Sequence, residues 1–187
     1  FEYYLKAIAK NSQMIFKRIM DFFPEIAEKE TRRITLRNNP RIPDGEYAYV
    51  ESFCDDKDCD CRRVYFDVLQ IDPDYEMFQA ATISYGWEDL DFYSSWSPYL
   101  PSEMAAEMKG PALERAQRQS RYAERFLELF ESKFLSDPAY IERIKRHYAM
   151  FKARLGGKAI KKIGKEFDKY APCPCGSGKK FKFCCLA

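Results

Sequence analysis

Apolar positions along the chain follow two periods. Between Glu46 and Tyr85 they gather in short aromatic and β-branched blocks, and after Gly86 they recur every three or four residues. Residues 46–53, 63–71 and 78–85 are the blocks, and such side chains suit a pleated, half-buried surface. Their short connections predict an antiparallel meander. Ahead of them, Leu5, Ile8, Ile15, Ile19 and Phe22 predict an amphipathic helix within residues 1–23, with Pro24 just past it. Residues 31–44 contain Asn38, Asn39, Pro40 and Pro43 before Asp44-Gly45, the composition of a connection ending in a turn.

Beyond the sheet, residues 86–101 mix aromatics with turn formers and are expected to wrap back over it. Ser102, Ala105, Ala106 and Met108 begin a helix that Gly110-Pro111 interrupts. Tyr122, Ala123, Phe126, Leu127, Phe130 and Phe134 then form one stripe of a helix spanning 113–135. Ser136-Asp137-Pro138 is a start signal for another, whose face holds Tyr140, Ile144, Tyr148, Phe151 and Leu155 and which stops at Gly156-Gly157. Helices outnumber strands. The expected class is α+β, a small antiparallel sheet with several amphipathic helices.

With 187 residues, 15 Phe and 13 Tyr, the chain has enough large side chains for a packed interior. No apolar run reaches the roughly 18 residues that a membrane span requires. The net charge of +2 is unevenly spread: residues 158–187 hold eight Lys against Glu166 and Asp168, leaving the rest of the chain at −4. A basic tail of this kind suits an acidic partner surface or a phosphate backbone, and equally serves to offset anionic ligands and keep the chain soluble. The expected division is an α+β domain over 1–157, a basic linker over 158–170 and a metal-binding segment over 171–187.

That last segment carries the strongest chemical signal. Cys173-Pro-Cys175-Gly-Ser-Gly-Lys-Lys-Phe-Lys-Phe-Cys184-Cys185 packs four thiols and two glycines into a stretch too short to fold around an apolar core. One tetrahedral ion bound by Cys173, Cys175, Cys184 and Cys185 supplies the missing core. Structural zinc contributes about 10–16 kcal/mol in peptides, and four protein ligands leave no open position for catalysis. Gly176 and Gly178 permit the tight backbone that points N–H groups at sulfur, and Lys179, Lys180 and Lys182 balance the anionic site. Zinc suits such a sulfur set best, with iron and copper(I) chemically admissible. The segment is no P-loop, because Cys173 stands where the first glycine belongs and Lys180 replaces the Ser/Thr.

Residues 171–187 resemble the SEC-C motif, the metal-binding tail named after the export motor SecA. The resemblance implies a recognition knuckle: in SecA the tail helps bind the export chaperone SecB and contacts ribosomes. By that resemblance the contact residues here are Lys179, Lys180, Phe181 and Lys182.

A second cluster, Cys54-Asp-Asp-Lys-Asp-Cys59-Asp-Cys61, joins two of the expected strands, so its thiols converge at a hairpin tip. Three sulfurs fall one short of a zinc set, and His147, the single histidine, is a candidate fourth ligand clamping helix to hairpin, with Asp60 the next choice. The bland alternatives are an ordinary histidine and unmetallated thiols.

No metalloprotease, nucleophile-elbow or dinucleotide fingerprint is present. No catalytic residue is assigned. The expectation is therefore a cytoplasmic, zinc-binding, non-catalytic protein-interaction module, adaptor-like or associated with chaperones or ribosomes. The odd number of closely spaced thiols favours a reducing compartment. Two alternatives stay open: a metal-dependent enzyme using Cys54, Cys59 and Cys61, and nucleic-acid binding through the basic tail.

Overall fold

A computed structural model describes residues 16–71, 78–96, 101–156, 170, 173 and 178–183. Among them are six strands in one antiparallel sheet: β1 (Phe16–Arg18), β2 (Arg32–Leu36), β3 (Gly45–Cys54), β4 (Arg63–Ile71), β5 (Phe78–Gly86) and β6 (Gly110–Leu113). The helices are α1 (Pro24–Glu30), α2 (Leu90–Trp96), α3 (Ser102–Met108), α4 (Ala123–Leu129), which runs on into a π turn (Phe130–Phe134), and α5 (Pro138–Arg154). The class is α+β, as the periodicity implies.

β3 is the central strand, with its residues buried on both faces from Tyr47 to Cys54. One of its edges pairs with β4 along nearly its whole length. The other is shared: β2 runs along Gly45–Tyr49 and β1 along Ser52–Cys54. β5 and β6 extend the sheet beyond β4.

The helices cover one face through aromatic contacts. Tyr47 packs on Phe126, Tyr49 on Phe130 and Phe134, and Phe53 on Tyr148 and Phe151, with ring centroids 4.7–6.0 Å apart. Aromatic pairs at this spacing add to the burial of their own area. α5 has the boundaries its sequence signals: Asp137 Oδ1 accepts from Ala139 N at 3.0 Å, Pro138 opens the helix, and Gly156 follows it at φ 70°.

Five expectations need correction: the helix expected over 113–135 begins only at Ala123, after β6 and an irregular stretch, and four others follow. The helix expected over 1–23 falls mostly on residues 1–15, outside the described residues. Of its described end, Phe16–Arg18 is edge strand β1, held by Phe16 against Tyr65 at 4.1 Å, Ile19–Asp21 is a single 3-10 turn, and Pro24 opens α1. Proline tolerates that first-turn position because no helical acceptor awaits its missing N–H. The supposed connection over 31–44 contains β2. Gly110–Leu113 is strand β6, at the edge of the sheet where a proline breaks no ladder. The return over the sheet at 86–101 includes a helix, α2.

Candidate metal centre

The hairpin between β3 and β4 brings Cys54, Cys59 and Cys61 together with their ligand atoms all within 4.8 Å of one another. Zinc–sulfur bonds of about 2.3 Å in a tetrahedron put sulfurs roughly 3.8 Å apart, so the three thiols fit one ion with small adjustments. Cys54 and Cys61 are buried, and Cys59 is half-buried. Cys54 is the most acidic of the three: S–H groups of Cys59 and then Cys61 donate to its sulfur and hold it well below the ordinary thiol value, against the opposing effect of burial. The same sharing raises Cys59 and Cys61. Three adjacent sulfurs resist accumulating negative charge, and a dication relieves that resistance.

The loop is fixed by groups that bind no metal. Lys152 of α5 is fully buried, and its Nζ donates to the carbonyls of Cys54 at 2.9 Å and Asp56 at 2.8 Å. Asp56 Oδ1 accepts from Asp58 N at 2.9 Å, and Cys59 N donates to Asp56 O at 3.2 Å, closing the turn. After Cys61, Arg62 adopts φ 47°, a left-handed conformation that a side chain of this size enters only under constraint. Two tyrosines supply it. Arg62 N donates to Tyr148 Oη at 3.4 Å, and Tyr93 Oη donates to Arg62 O at 2.9 Å. The Arg62 guanidinium reaches Asp60 and Glu88, at 3.2 Å and 2.9 Å.

No carboxylate pairs with Lys152 among the described residues. A buried ammonium needs a counter-charge, and three thiolates around a divalent ion carry one net negative charge. The donor set and its surroundings therefore fit a metal–thiolate centre, in which the ion would cross-link the hairpin to itself.

His147 stands elsewhere. Its Nδ1 meets Glu51 Oε2 at 2.6 Å and its Nε2 meets Glu30 Oε2 at 3.2 Å, so both ring nitrogens are engaged away from the thiols. Glu30 also pairs with Arg146. The helix does reach the hairpin, through the adjacent Tyr148 and through Lys152, five residues after His147. Asp60 is likewise occupied, by Arg62 and by Tyr148 Oη at 3.3 Å. Among the described residues no imidazole or carboxylate joins the trio. Sequence reasoning passed over Lys152, whose place four residues after Tyr148 sets it beside the apolar stripe of α5. Glu51, a carboxylate among the inward-facing aromatics of β3, is the corresponding signal for His147.

At the C-terminus, Cys173 is buried and its N–H donates to Lys179 O at 2.6 Å, while Gly178 has φ 72°. Lys179, Lys180 and Lys182 are exposed. The Nζ atoms of Lys180 and Lys182 lie 5.9 Å and 5.4 Å from the Tyr170 ring centroid. Cys175, Cys184, Cys185, the Phe181 side chain and residues 157–169 lie outside the described residues. Residues 171–187 match the SEC-C motif. This is the segment whose thiol spacing suggested it. No curated protein and no solved structure matches the chain significantly. No described helix is long and apolar enough to cross a membrane.

Proposed function

We propose that this protein is a non-catalytic, zinc-binding interaction module with two metal sites, working in a reducing, cytoplasmic setting. Cys54, Cys59 and Cys61 hold one ion against the α+β domain of 1–157, and Cys173, Cys175, Cys184 and Cys185 hold the other within the SEC-C segment. Residues 158–170 link the two. The observation that carries the first site is the convergence of three thiols on a loop already locked by Lys152, Tyr148 and Tyr93. The motif match and the thiol spacing support the second. Zinc would supply cross-linking at both, since thiolate ligands suit it and its full shell leaves no reactive position where four protein ligands are present.

The SEC-C segment is the recognition element of this reading, with Lys179, Lys180, Phe181 and Lys182 as contact residues and a protein, on a chaperone or the ribosome, as partner. Elemental analysis of protein purified without added metal tests the metal sites: two zinc per chain are expected, falling to one when Cys54, Cys59 and Cys61 become serine and to one when residues 171–187 are removed. Metal-free protein, or two zinc persisting in either variant, contradicts it. A second reading, a metal-dependent enzyme, is favoured by one observation: no imidazole or carboxylate side chain joins the hairpin thiols among the described residues. It predicts that exogenous ligands perturb the absorption of the cobalt-substituted hairpin site; an unchanged spectrum excludes it.

A further inference from the structure

The outer edge of β6 borders a cavity of about 750 Å³. Within the sheet β6 pairs with β5, and no described strand runs along its other side. Glu114 N donates to Thr82 O at 2.9 Å, which sets the alternation of the ladder: Gly110 and Ala112 turn their backbone groups toward β5, and Pro111 and Leu113 turn theirs away. The edge therefore presents the N–H and carbonyl of Leu113 and the carbonyl of Pro111. None of these three groups has a hydrogen-bond partner among the described residues.

Ala112 and Leu113 point to opposite faces of the sheet, and the cavity touches both, so it runs past the free edge of the strand rather than over one face. α3 lends Met104, Glu107 and Met108 to its wall, and α4 lends Glu124 and Leu127. Met104 is 52 % exposed. Glu107, Glu114 and Glu124 line the cavity and make no ion pair among the described residues. Opposed to them are Arg115 and Arg63, and the Arg63 guanidinium is held by Tyr65 Oη at 3.1 Å and Ser84 Oγ at 2.9 Å. Three carboxylates against two guanidiniums leave the lining net negative. Exposed edges are ordinarily blunted by charge, as in β2, where Arg32 and Arg33 pair with Asp137 and Glu46. β6 reads Gly-Pro-Ala-Leu and carries no charge, and its proline removes one donor without closing the edge.

We propose that β6 is a docking edge for an extended peptide of another protein, which adds a further strand to the sheet. Its aliphatic side chains would rest on Met104, Met108, Leu113 and Leu127, and a lysine or arginine would meet Glu107 or Glu124. Main-chain bonds to Leu113 and Pro111 supply affinity, and the helical walls supply selectivity. The cavity falls within the roughly 300–1,000 Å³ of clefts that bury most of a bound ligand. This surface is separate from both groups of thiols and does not rest on the metal reading.

Amide NMR spectra of the isotope-labelled full chain, titrated with capped peptides, test it. The probe is a heptapeptide alternating valine and lysine. One control carries glutamate in place of lysine, and another is N-methylated at every amide. The Leu113 amide resonance is expected to move saturably with the probe, and its hydrogen exchange to slow; both controls bind at least about tenfold more weakly. Glu107→Lys combined with Glu124→Lys, both on exposed helix surfaces, should exchange the preference for the lysine peptide for one for the glutamate peptide. If that variant fails to fold, the N-methylated control on the parent decides. No saturable movement of Leu113, equal binding of the N-methylated control, or an unchanged charge preference in the folded variant overturns the proposal. So does a Leu113 amide already slow to exchange in the free chain, which would mean that a segment of this chain covers the edge, or one that slows with protein concentration alone, which would mean that a second copy pairs there.

Discussion

The hairpin thiols and the C-terminal thiols differ in what stands behind them. Cys54, Cys59 and Cys61 end one buried strand and precede another, and α5 holds their loop through Lys152 and Tyr148. Of the described residues in the C-terminal segment, Cys173 is buried, while Lys179, Lys180, Lys182 and Phe183 face solvent. In the first region a scaffold positions the ligands and an ion would add a cross-link. In the second the ion would have to be the scaffold, because so short a segment buries too little apolar area to order itself. The same ligand chemistry thus does different work: local stiffening in one place, folding in the other.

The comparison breaks most readily at Lys152. Lys152→Met should destabilise the domain by about 2–4 kcal/mol, since the carbonyls of Cys54 and Asp56 lose a charged donor inside the fold. It should also weaken metal binding at the hairpin roughly tenfold or more while leaving the C-terminal site unchanged. Urea denaturation and chelator competition check both. Tyr93→Phe removes one of the two hydroxyls that hold the Arg62 backbone, and should cost about 1 kcal/mol in the same denaturation assay.

The network around His147 sharpens the comparison through pH. Burial pulls His147 down, but the charge of Glu51 and the hydrogen bonds to Glu30 and Glu51 outweigh it, so its pKa lies above the ordinary 6.5. Its contribution to stability is complete below 6.5 and is lost as pH rises through the folded value. Glu30 is held below its ordinary 4.5 by the hydrogen bond from His147, against burial and aided by the charge of Arg146. Its contribution is present above 4.5 and is lost as pH falls through the folded value. The network therefore supports the fold most fully between these two ordinary values. Melting temperature followed against pH should decline on the alkaline side, and His147→Gln should flatten that decline. Thiolate-bound metal is lost on the acid side, so the alkaline limb separates the network from the metal sites. The smallest effect is expected at the surface: Lys182→Ala removes exposed contacts to Tyr170 and Phe183 and should change domain stability by less than about 0.5 kcal/mol in the urea assay.

The sequence made the central strands and α5 legible because each carries its own period and stop signals: aromatic blocks between turns, then Asp137-Pro138 and Gly156. β1, β2 and β6 were hidden because edge strands tolerate what central strands reject. β2 begins with two arginines, β6 has Pro111, and β1 is three residues long. The thiol trio followed from its spacing across a hairpin. His147 did not follow from the count of ligands, since its partner Glu51 comes from a strand distant in sequence and only the packing of α5 on β3 joins them. Lys152 went unread because helical periodicity sorts positions by face and does not show which polar head finds two carbonyls inside.

Amide hydrogen exchange on the full chain, before and after metal is removed by a chelator under reducing conditions, tests most directly whether one region is built before its ion and the other by it. Protection across β3, β4 and α5 should persist, with faster exchange confined to residues 54–62, while protection within 171–187 should vanish. Loss of protection throughout the domain, or a C-terminal segment as protected without metal as with it, would contradict the account.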